Sequence, residues 1–173
     1  SSPTITITNT TFTGNSANYG GGMYNRSSSP SITNTIFTGN SATFGGGVFN
    51  EASSPSITNT TFTGNSASNS GGGMFNLFSS SNPMIRNCIV WGNGTEISND
   101  ASTPVVSYSI VQGGYTGCSN CPGTNGNADP LFVNAADPDG ADNIHRTADD
   151  GLRLQSGSPA INAGDPAITT PAT

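Results

Sequence analysis

The sequence predicts an all-β fold, a right-handed parallel β-helix (a solenoid) with coils of about 25 residues. The first observation behind this prediction is a threefold internal repeat: TNTTFTGNSANYGGGMYN begins at Thr8, TNTIFTGNSATFGGGVFN at Thr33 and TNTTFTGNSASNSGGGMFN at Thr58. The second is its period, because self-similarity at roughly 20–50 residues is the signature of a solenoid. The third is composition: the repeat is rich in Thr, Ser, Asn and Gly and shows no helical periodicity.

The core is expected to consist of columns in which like residues stack on like. Two degenerate copies, beginning at Pro83 and Pro104, extend the alignment to five coils. The small-residue and Phe columns are two residues apart, which is the strand period, so they share a face, and the Ile column is placed inside with them. The columns are Ile7, Ile32, Ile57, Ile85 and Val106; Thr10, Thr35, Thr60, Cys88 and Ser109; and Phe12, Phe37, Phe62, Val90 and Val111.

Asparagine forms two further columns, which are predicted to be structural ladders at the corners of the solenoid. Asn tolerates left-handed backbone geometry, and its amide can bond to the same amide one coil away. A ligand-binding row of amides is the less favoured alternative. The two columns are Asn9, Asn34, Asn59 and Asn87, and Asn15, Asn40, Asn65 and Asn93.

Glycine triplets precede a short strand in each of the three repeats. In this strand we expect the side chains of Met23, Val48 and Met74 to point inward, and the aromatic rings one position later to point outward. Those rings belong to Tyr24, Phe49 and Phe75.

The chain is expected to form a single β-helix domain over residues 1–173, with six or seven coils. Residues 1–78 contain three near-identical coils, 79–115 degenerate coils, 116–165 loop-rich closing coils, and 166–173 a tail rich in Pro and Thr. The alternating stretch Pro3–Thr8 at the first coil predicts an open edge, and hence end-to-end assembly of the protein with itself into a filament. Upstream coils of a longer protein are the alternative.

Two features of the C-terminal half predict a disulfide and a metal site. Cys118 and Cys121 form a CxxC in a Gly/Asn-rich loop, which favours a local disulfide over two free thiols. An acidic loop contains a DxDGxD motif, and crowded carboxylates repel one another unless a cation neutralises them, so we expect Ca²⁺ there. The expected ligands are Asp137, Asp139, Asp142, Asp149 and Asp150. A solvated acidic loop is the alternative.

Charge and composition exclude several functions. The net charge is −6 and all four basic residues are arginines, so the sequence predicts no nucleic-acid partner. No apolar run approaches the ~18 residues of a membrane helix, so no membrane insertion is expected.

The repeat motifs resemble a known group of proteins. FTGN and GGGM/GGGV are similar to the FxxN and GGA(I/L) repeats of chlamydial polymorphic outer-membrane proteins and, more broadly, resemble secreted bacterial right-handed β-helices of the pectin-lyase-like superfamily. The stretch DPLFVN…DGLRLQSGSPAINAGD resembles the closing coil of choice-of-anchor bacterial surface proteins. The first three repeats depart from these relatives in carrying Thr where Cys is common.

The resemblance implies an extracellular or cell-surface protein with a non-catalytic, scaffold or adhesin-like role. No column gathers acidic and basic residues as an enzyme would require. One alternative is a β-helix that binds or degrades polysaccharide, with cell-surface glycans as partners. Another is an ice-binding array formed by the outward row Thr8, Thr33 and Thr58.

Overall fold

The computed structural model describes residues 5–168, which wind into a parallel β-helix of short strands. Coil 1 contains β1 (Thr6–Thr8), β2 (Thr11–Thr13), β3 (Ser16–Tyr19) and β4 (Met23–Arg26). Coil 2 contains β5 (Ser31–Thr33), β6 (Ile36–Thr38), β7 (Ser41–Phe44) and β8 (Val48–Glu51). Coil 3 contains β9 (Ser56–Thr58), β10 (Thr61–Thr63), β11 (Ser66–Ser70) and β12 (Met74–Leu77). Coil 4 contains β13 (Met84–Arg86), β14 (Ile89–Trp91) and β15 (Ile97–Asp100), and a partial fifth coil contains β16 (Val105–Ser107) and β17 (Ile110–Val111).

The strands stack into four parallel sheets that run along the solenoid. Sheet A has the order β1-β5-β9-β13-β16, sheet B β17-β14-β10-β6-β2, sheet C β11-β7-β3, and sheet D β15-β12-β8-β4. The register follows the repeat, so that Ile7 pairs with Ile32 and Ile32 with Ile57. The predicted all-β parallel β-helix with coils of about 25 residues is thereby confirmed.

Within residues 5–168 the solenoid has about four complete turns, so the expected six or seven coils are wrong. The chain stops winding after β17: Ser119 bridges to Ser107 only 12 positions later (119 − 107), where a full coil would need about 25. Coil 4 is also short, because register partners Met84 and Val105 are 21 positions apart (105 − 84). The shortening removes the strand of coil 4 that would have extended sheet C.

The core is the interior column of these coils. The Phe column is its most regular part: the rings of Phe12, Phe37 and Phe62 stack with centroids 4.8 Å apart and planes within 4° of parallel. The Ile, Phe and small-residue columns lie inside, as do Val48 and Met74. A thin, continuous apolar column explains how a chain that is only 32% hydrophobic can form a core.

A second apolar cluster lies outside the solenoid, where sheets C and D meet at the glycine triplets. The rings one position after Met23, Val48 and Met74 do point outward, but Phe49 is only 2% exposed because neighbouring rings cover it. The cluster consists of Tyr19, Tyr24, Phe44, Phe49 and Phe75.

Residues 118–127 cover the end of the core at coil 5, and residues 129–168, here called the C-terminal strap, run back along the outside. The backbone N–H of Tyr108 donates to Ser119 O and that of Val111 to Gly126 O, both at 2.9 Å. The strap then reaches coil 4, where the Asp165 N–H donates to Asn87 Oδ1 at 2.8 Å. It also reaches coil 2, where the Arg146 guanidinium donates to the carbonyl of Asn34.

Candidate functional site

The column from Asn15 to Asn93 is a hydrogen-bonded amide ladder inside the solenoid. Each Nδ2 donates to the Oδ1 of the next asparagine, at 3.0 Å from Asn15 to Asn40, 2.9 Å from Asn40 to Asn65 and 2.8 Å from Asn65 to Asn93. Each Oδ1 also accepts the backbone N–H of the preceding asparagine at 3.0–3.1 Å. From Asn40 onward the second Nδ2 hydrogen goes to a Phe carbonyl, that of Phe37 for Asn65. The buried amides are therefore fully satisfied.

Glu96 ends this ladder on its C-terminal side. The position that would supply the next asparagine, in coil 5, is Gly114, which has no side chain. The Glu96 carboxylate takes over as acceptor: Oε1 accepts the Asn93 backbone N–H at 3.1 Å and Oε2 accepts Asn93 Nδ2 at 2.5 Å. Burial raises the pKa of Glu96, and the hydrogen bonds from Asn93 oppose that shift.

A second amide ladder runs along sheet D and ends on Tyr115. Its asparagines are bonded Nδ2 to Oδ1 at 2.8 Å in each step, and the last of them donates Nδ2 to the Tyr115 hydroxyl at 3.1 Å. Burial raises the pKa of Tyr115, so its hydroxyl is neutral near pH 7. The ladder consists of Asn25, Asn50, Asn76 and Asn99.

The two ladder ends line one cavity of about 580 Å³, here called the ladder-end cavity. It lies between the shortened part of coil 4 and the turn that follows β17. Its wall combines a carboxylate, a phenol, an amide and a hydroxyl with apolar side chains. The amide belongs to Gln112, and the residues used below are Thr95, Glu96, Ile97 and Tyr115.

The repeat pattern does not predict this site, because neither Glu96 nor Tyr115 belongs to a repeating column. The sequence does contain a signal for this site. In coil 5 the Asn column is interrupted by Gly114, so the N–H donors of Asn93 lack the asparagine acceptor that the other coils provide. The nearby Glu in WGNGTE could have been read as the replacement.

The Asn9 column differs from the expected ladder. Asn9, Asn34, Asn59 and Asn87 have positive φ angles of 50–55° and turn the chain from sheet A into sheet B. Among the described residues, their side-chain amides make no hydrogen bonds to one another; instead, each backbone N–H donates to a carbonyl of the next coil at 3.1–3.3 Å. The left-handed backbone that Asn tolerates therefore explains this column, and amide pairing does not.

The structure joins Cys118 and Cys121 in a disulfide. The bridged loop closes the end of coil 5, where Cys121 Sγ accepts the Ser109 N–H at 3.3 Å. Cys88 lies in the small-residue column, and burial raises the pKa of its thiol to about 12. The thiol is therefore protonated at physiological pH and is a poor nucleophile.

The acidic loop does not gather its five predicted calcium ligands. Within residues 5–168 no group of three or more His, Cys, Asp or Glu side chains is placed to hold a metal ion. Asp149 Oδ2 accepts the Asp142 N–H at 3.1 Å, and Asp150 accepts the Arg146 and Thr147 N–H groups at 2.5 and 3.1 Å. Asp137 and Asp139 take part in none of these bonds. Calcium binding by this loop stays a prediction.

The pKa values of two loop carboxyls reflect these bonds. Burial raises the pKa of Asp150, but hydrogen bonds from Arg146 and Thr147 outweigh it and the net shift is downward. A hydrogen bond from the Thr147 hydroxyl lowers the pKa of Asp149. Both groups are therefore ionised near pH 7, and protein N–H and O–H groups satisfy them.

An ion pair fastens the strap to the solenoid. Arg86, on the outer face of sheet A, pairs with Asp165, whose side chain is 3% exposed. The Arg86 guanidinium also lies over the Tyr108 ring, 5.6 Å from its centroid. A smaller cavity of about 230 Å³ separates the strap from the corner at Asn87.

Comparison with known families gives a match to the model described as "Right handed beta helix region" over residues 1–134. The match includes every strand of the described chain and ends within the strap. No curated protein and no solved structure is matched by the chain. No helix in the described part of the chain is long and apolar enough to cross a membrane.

Proposed function

The chain belongs to the right-handed β-helix family, and we propose that it is a non-catalytic structural protein of the cell surface or extracellular space. In this role the solenoid is a stiff scaffold, adhesin-like in its presentation of side chains on the outer faces of its sheets. The observation that carries the proposal is that the asparagine amides of both ladders hydrogen-bond to one another inside the protein. Side chains used in this way stabilise the coil and leave little chemistry for catalysis.

The distribution of charge supports a non-catalytic role. Among residues 5–168 the ion pairs are Arg26–Glu51, on sheet D, and Arg86–Asp165, which joins sheet A to the strap. A glycosidase needs two carboxyl groups on opposite sides of one bond, roughly 5–10 Å apart. Glu96 has no second carboxylate among the residues that line its cavity.

The proposal is tested by an activity screen of the recombinant chain against a panel of uronate-containing and neutral polysaccharides. Lyase products are followed by ultraviolet absorbance and hydrolase products by new reducing ends. We expect no turnover above that of the heat-denatured protein. Turnover of any polysaccharide that a single carboxyl-to-amide substitution abolishes would overturn the non-catalytic assignment.

Glycan binding at the outer aromatic cluster is the second candidate. Tyr19 and Tyr24 are 49% and 41% exposed, and the Tyr24 hydroxyl donates to Glu51, which also pairs with Arg26 at 3.6 Å. Exposed rings beside polar groups suit a partner that is apolar on one face and polar at its edges. A glycan array compared between the native chain and Tyr24→Ala tests this candidate, with Phe75→Leu as a control on the covered part of the cluster.

End-to-end assembly stays a prediction, and the two ends differ in what supports it. Within the described residues, β1, β2, β3 and β4 each form the outer strand of their sheet. The opposite end is covered by residues 118–127. Residues 1–4 and 169–173, which include part of the alternating stretch and of the tail, lie outside the described residues. Sedimentation velocity over a range of concentrations distinguishes filaments from monomers.

The ice-binding alternative rests on the Thr8, Thr33 and Thr58 row. The row lies on sheet A in register, but it continues into Arg86 and Ser107 and is half-buried at Thr33 and Thr58. A thermal-hysteresis measurement tests it directly.

A further inference from the structure

We propose that the ladder-end cavity binds a primary alkylammonium ion, with the charged head on Glu96 and the alkyl stem on the apolar part of the wall. This inference goes beyond the scaffold function and does not depend on it. A free amine, a polyamine and a lysine side chain of a partner all present this chemistry.

The first argument is an uncompensated carboxylate. Glu96 is 9% exposed, and the described residues place no cationic side chain against it. The chain has no lysine, and each of its four arginines is engaged elsewhere: Arg26 with Glu51, Arg86 with Asp165, Arg146 with the Asn34 carbonyl and Arg153 with the Ala148 carbonyl. A buried carboxylate is costly unless it is protonated or meets a cation, so the cavity favours a cationic ligand.

The second argument is the number of acceptors that remain free. The carboxylate has about four lone-pair positions, and Asn93 occupies two of them. The Tyr115 hydroxyl accepts one bond from Asn99 and keeps further acceptor capacity. The Thr95 hydroxyl lies at the rim and has no partner among the described residues. Three oxygen acceptors match the three N–H donors of a primary ammonium group.

The third argument is size and apolar lining. A volume of about 580 Å³ lies within the range typical of small-molecule sites and far exceeds that of a bare ion. A hard divalent cation is coordinated by about six or more oxygen ligands, and one carboxylate does not provide them. Ile97 and the ring of Tyr115, which are both partly exposed, offer the apolar surface along which an alkyl stem can lie. The ligand class is therefore an ammonium head with a hydrocarbon stem.

The test uses n-butylammonium as the probe and n-butanol as its neutral isostere. Glutamate occurs in the chain only at positions 51 and 96, so selective ¹³C labelling of glutamate gives two carboxyl signals. At pH 7.5 we expect n-butylammonium to shift the Glu96 signal in a saturable way and to leave Glu51 unchanged. n-Butanol should bind at least about ten-fold more weakly, the equivalent of one charge-assisted hydrogen bond.

Variants assign the binding to particular groups. Glu96→Gln should weaken n-butylammonium binding by about ten-fold or more, whereas Glu51→Gln is the matched control and should leave it unchanged. Because Glu96→Gln also places an amide donor against Asn93 Nδ2, Tyr115→Phe and Thr95→Val are the second set. They leave the Glu96–Asn93 bonds intact and should each weaken binding several-fold.

The proposal is overturned if the Glu96 signal does not move with n-butylammonium. It is also overturned if Glu51 moves equally, if n-butanol binds as well as the amine, or if Glu96→Gln folds and binds like the native chain. Should Glu96→Gln fail to fold by circular dichroism, the Glu96 carboxyl shift and the two rim variants decide the question.

Discussion

Coils 1 to 3 and the C-terminal strap are held by two different kinds of contact. In the coils, a residue contacts the same residue type about 25 positions away, as Phe12 does with Phe37 and Asn15 with Asn40. In the strap, unlike residues meet across 78 and 112 positions, Asp165 with Asn87 and Arg146 with Asn34. Repetition supplies many weak contacts that reinforce one another, whereas the strap depends on a few specific ones. Substitutions in the two regions should therefore differ in how much they lower stability and in how far through the structure the effect extends.

The largest effect is expected from the Phe column. Phe37→Ala should lower the free energy of unfolding by roughly 3–5 kcal/mol, because it opens a cavity between two stacked rings in a fully buried position. Chemical denaturation followed by circular dichroism measures the change. Ile144→Ala in the strap is the control, since this side chain is 59% exposed. Equal effects at the two positions would remove the distinction between core column and strap.

The two asparagine columns should respond differently to the same substitution. Asn65→Gly should cost about 2–4 kcal/mol, because it leaves the buried Asn40 N–H without an acceptor and removes one hydrogen bond each from Asn40 Nδ2, the Phe37 carbonyl and Asn93 Oδ1. Asn59→Gly should be close to neutral, because its φ of 50° is one that glycine adopts readily. Thermal and chemical unfolding of both variants measures the difference. A large loss at Asn59 would show that its side chain has a role beyond the turn.

Repetition also explains what the sequence could predict. The parallel β-helix and its inward columns follow from the alignment of five copies, since register fixes which residues stack. Glu96 and Tyr115 could not be found in this way, because each occurs once, where a shortened coil and a missing side chain interrupt the pattern. The fold of the strap could not be predicted from the sequence either. Its contacts join residues that share neither a column nor a residue type, so the loop-rich ending was expected to continue winding.

The ion pair that fastens the strap should have a smaller and more local effect. Asp165→Ala removes the partner of Arg86 and the acceptor of the Ala167 N–H, and should cost about 1–2 kcal/mol because Arg86 is partly exposed. Hydrogen exchange should show faster exchange in residues 129–168 and unchanged protection in coils 1 to 3. Loss of protection throughout the solenoid would mean that the strap and the coils unfold as one unit.

The smallest effect is the response to pH, and the ladder end in coil 4 and the strap should respond with opposite signs. Burial raises the pKa of Glu96 above its ordinary value of 4.5, so the folded state holds this proton more tightly than the unfolded chain. The buried carboxylate therefore lowers stability as pH rises from 4.5 through its raised pKa, and it costs nothing extra below 4.5. Asp150 behaves in the opposite way. Its hydrogen bonds hold its pKa below 3.8, so its stabilisation is present above 3.8 and is lost as pH falls through the lower folded value.

Unfolding free energies measured from pH 3 to pH 8 for the native chain, Glu96→Gln and Asp150→Asn separate the two contributions. Glu96→Gln should gain stability relative to the native chain as pH rises above 4.5, whatever constant offset the substitution adds at the ladder end. Asp150→Asn should be less stable than the native chain near neutral pH and should approach it in acid. The change of this stability difference with pH identifies the contribution of the carboxyl group, since a purely steric effect of either substitution is independent of pH. A difference between Glu96→Gln and the native chain that stays flat across this range would mean that the carboxylate is solvated, and the ladder would then end on water instead of on a buried charge.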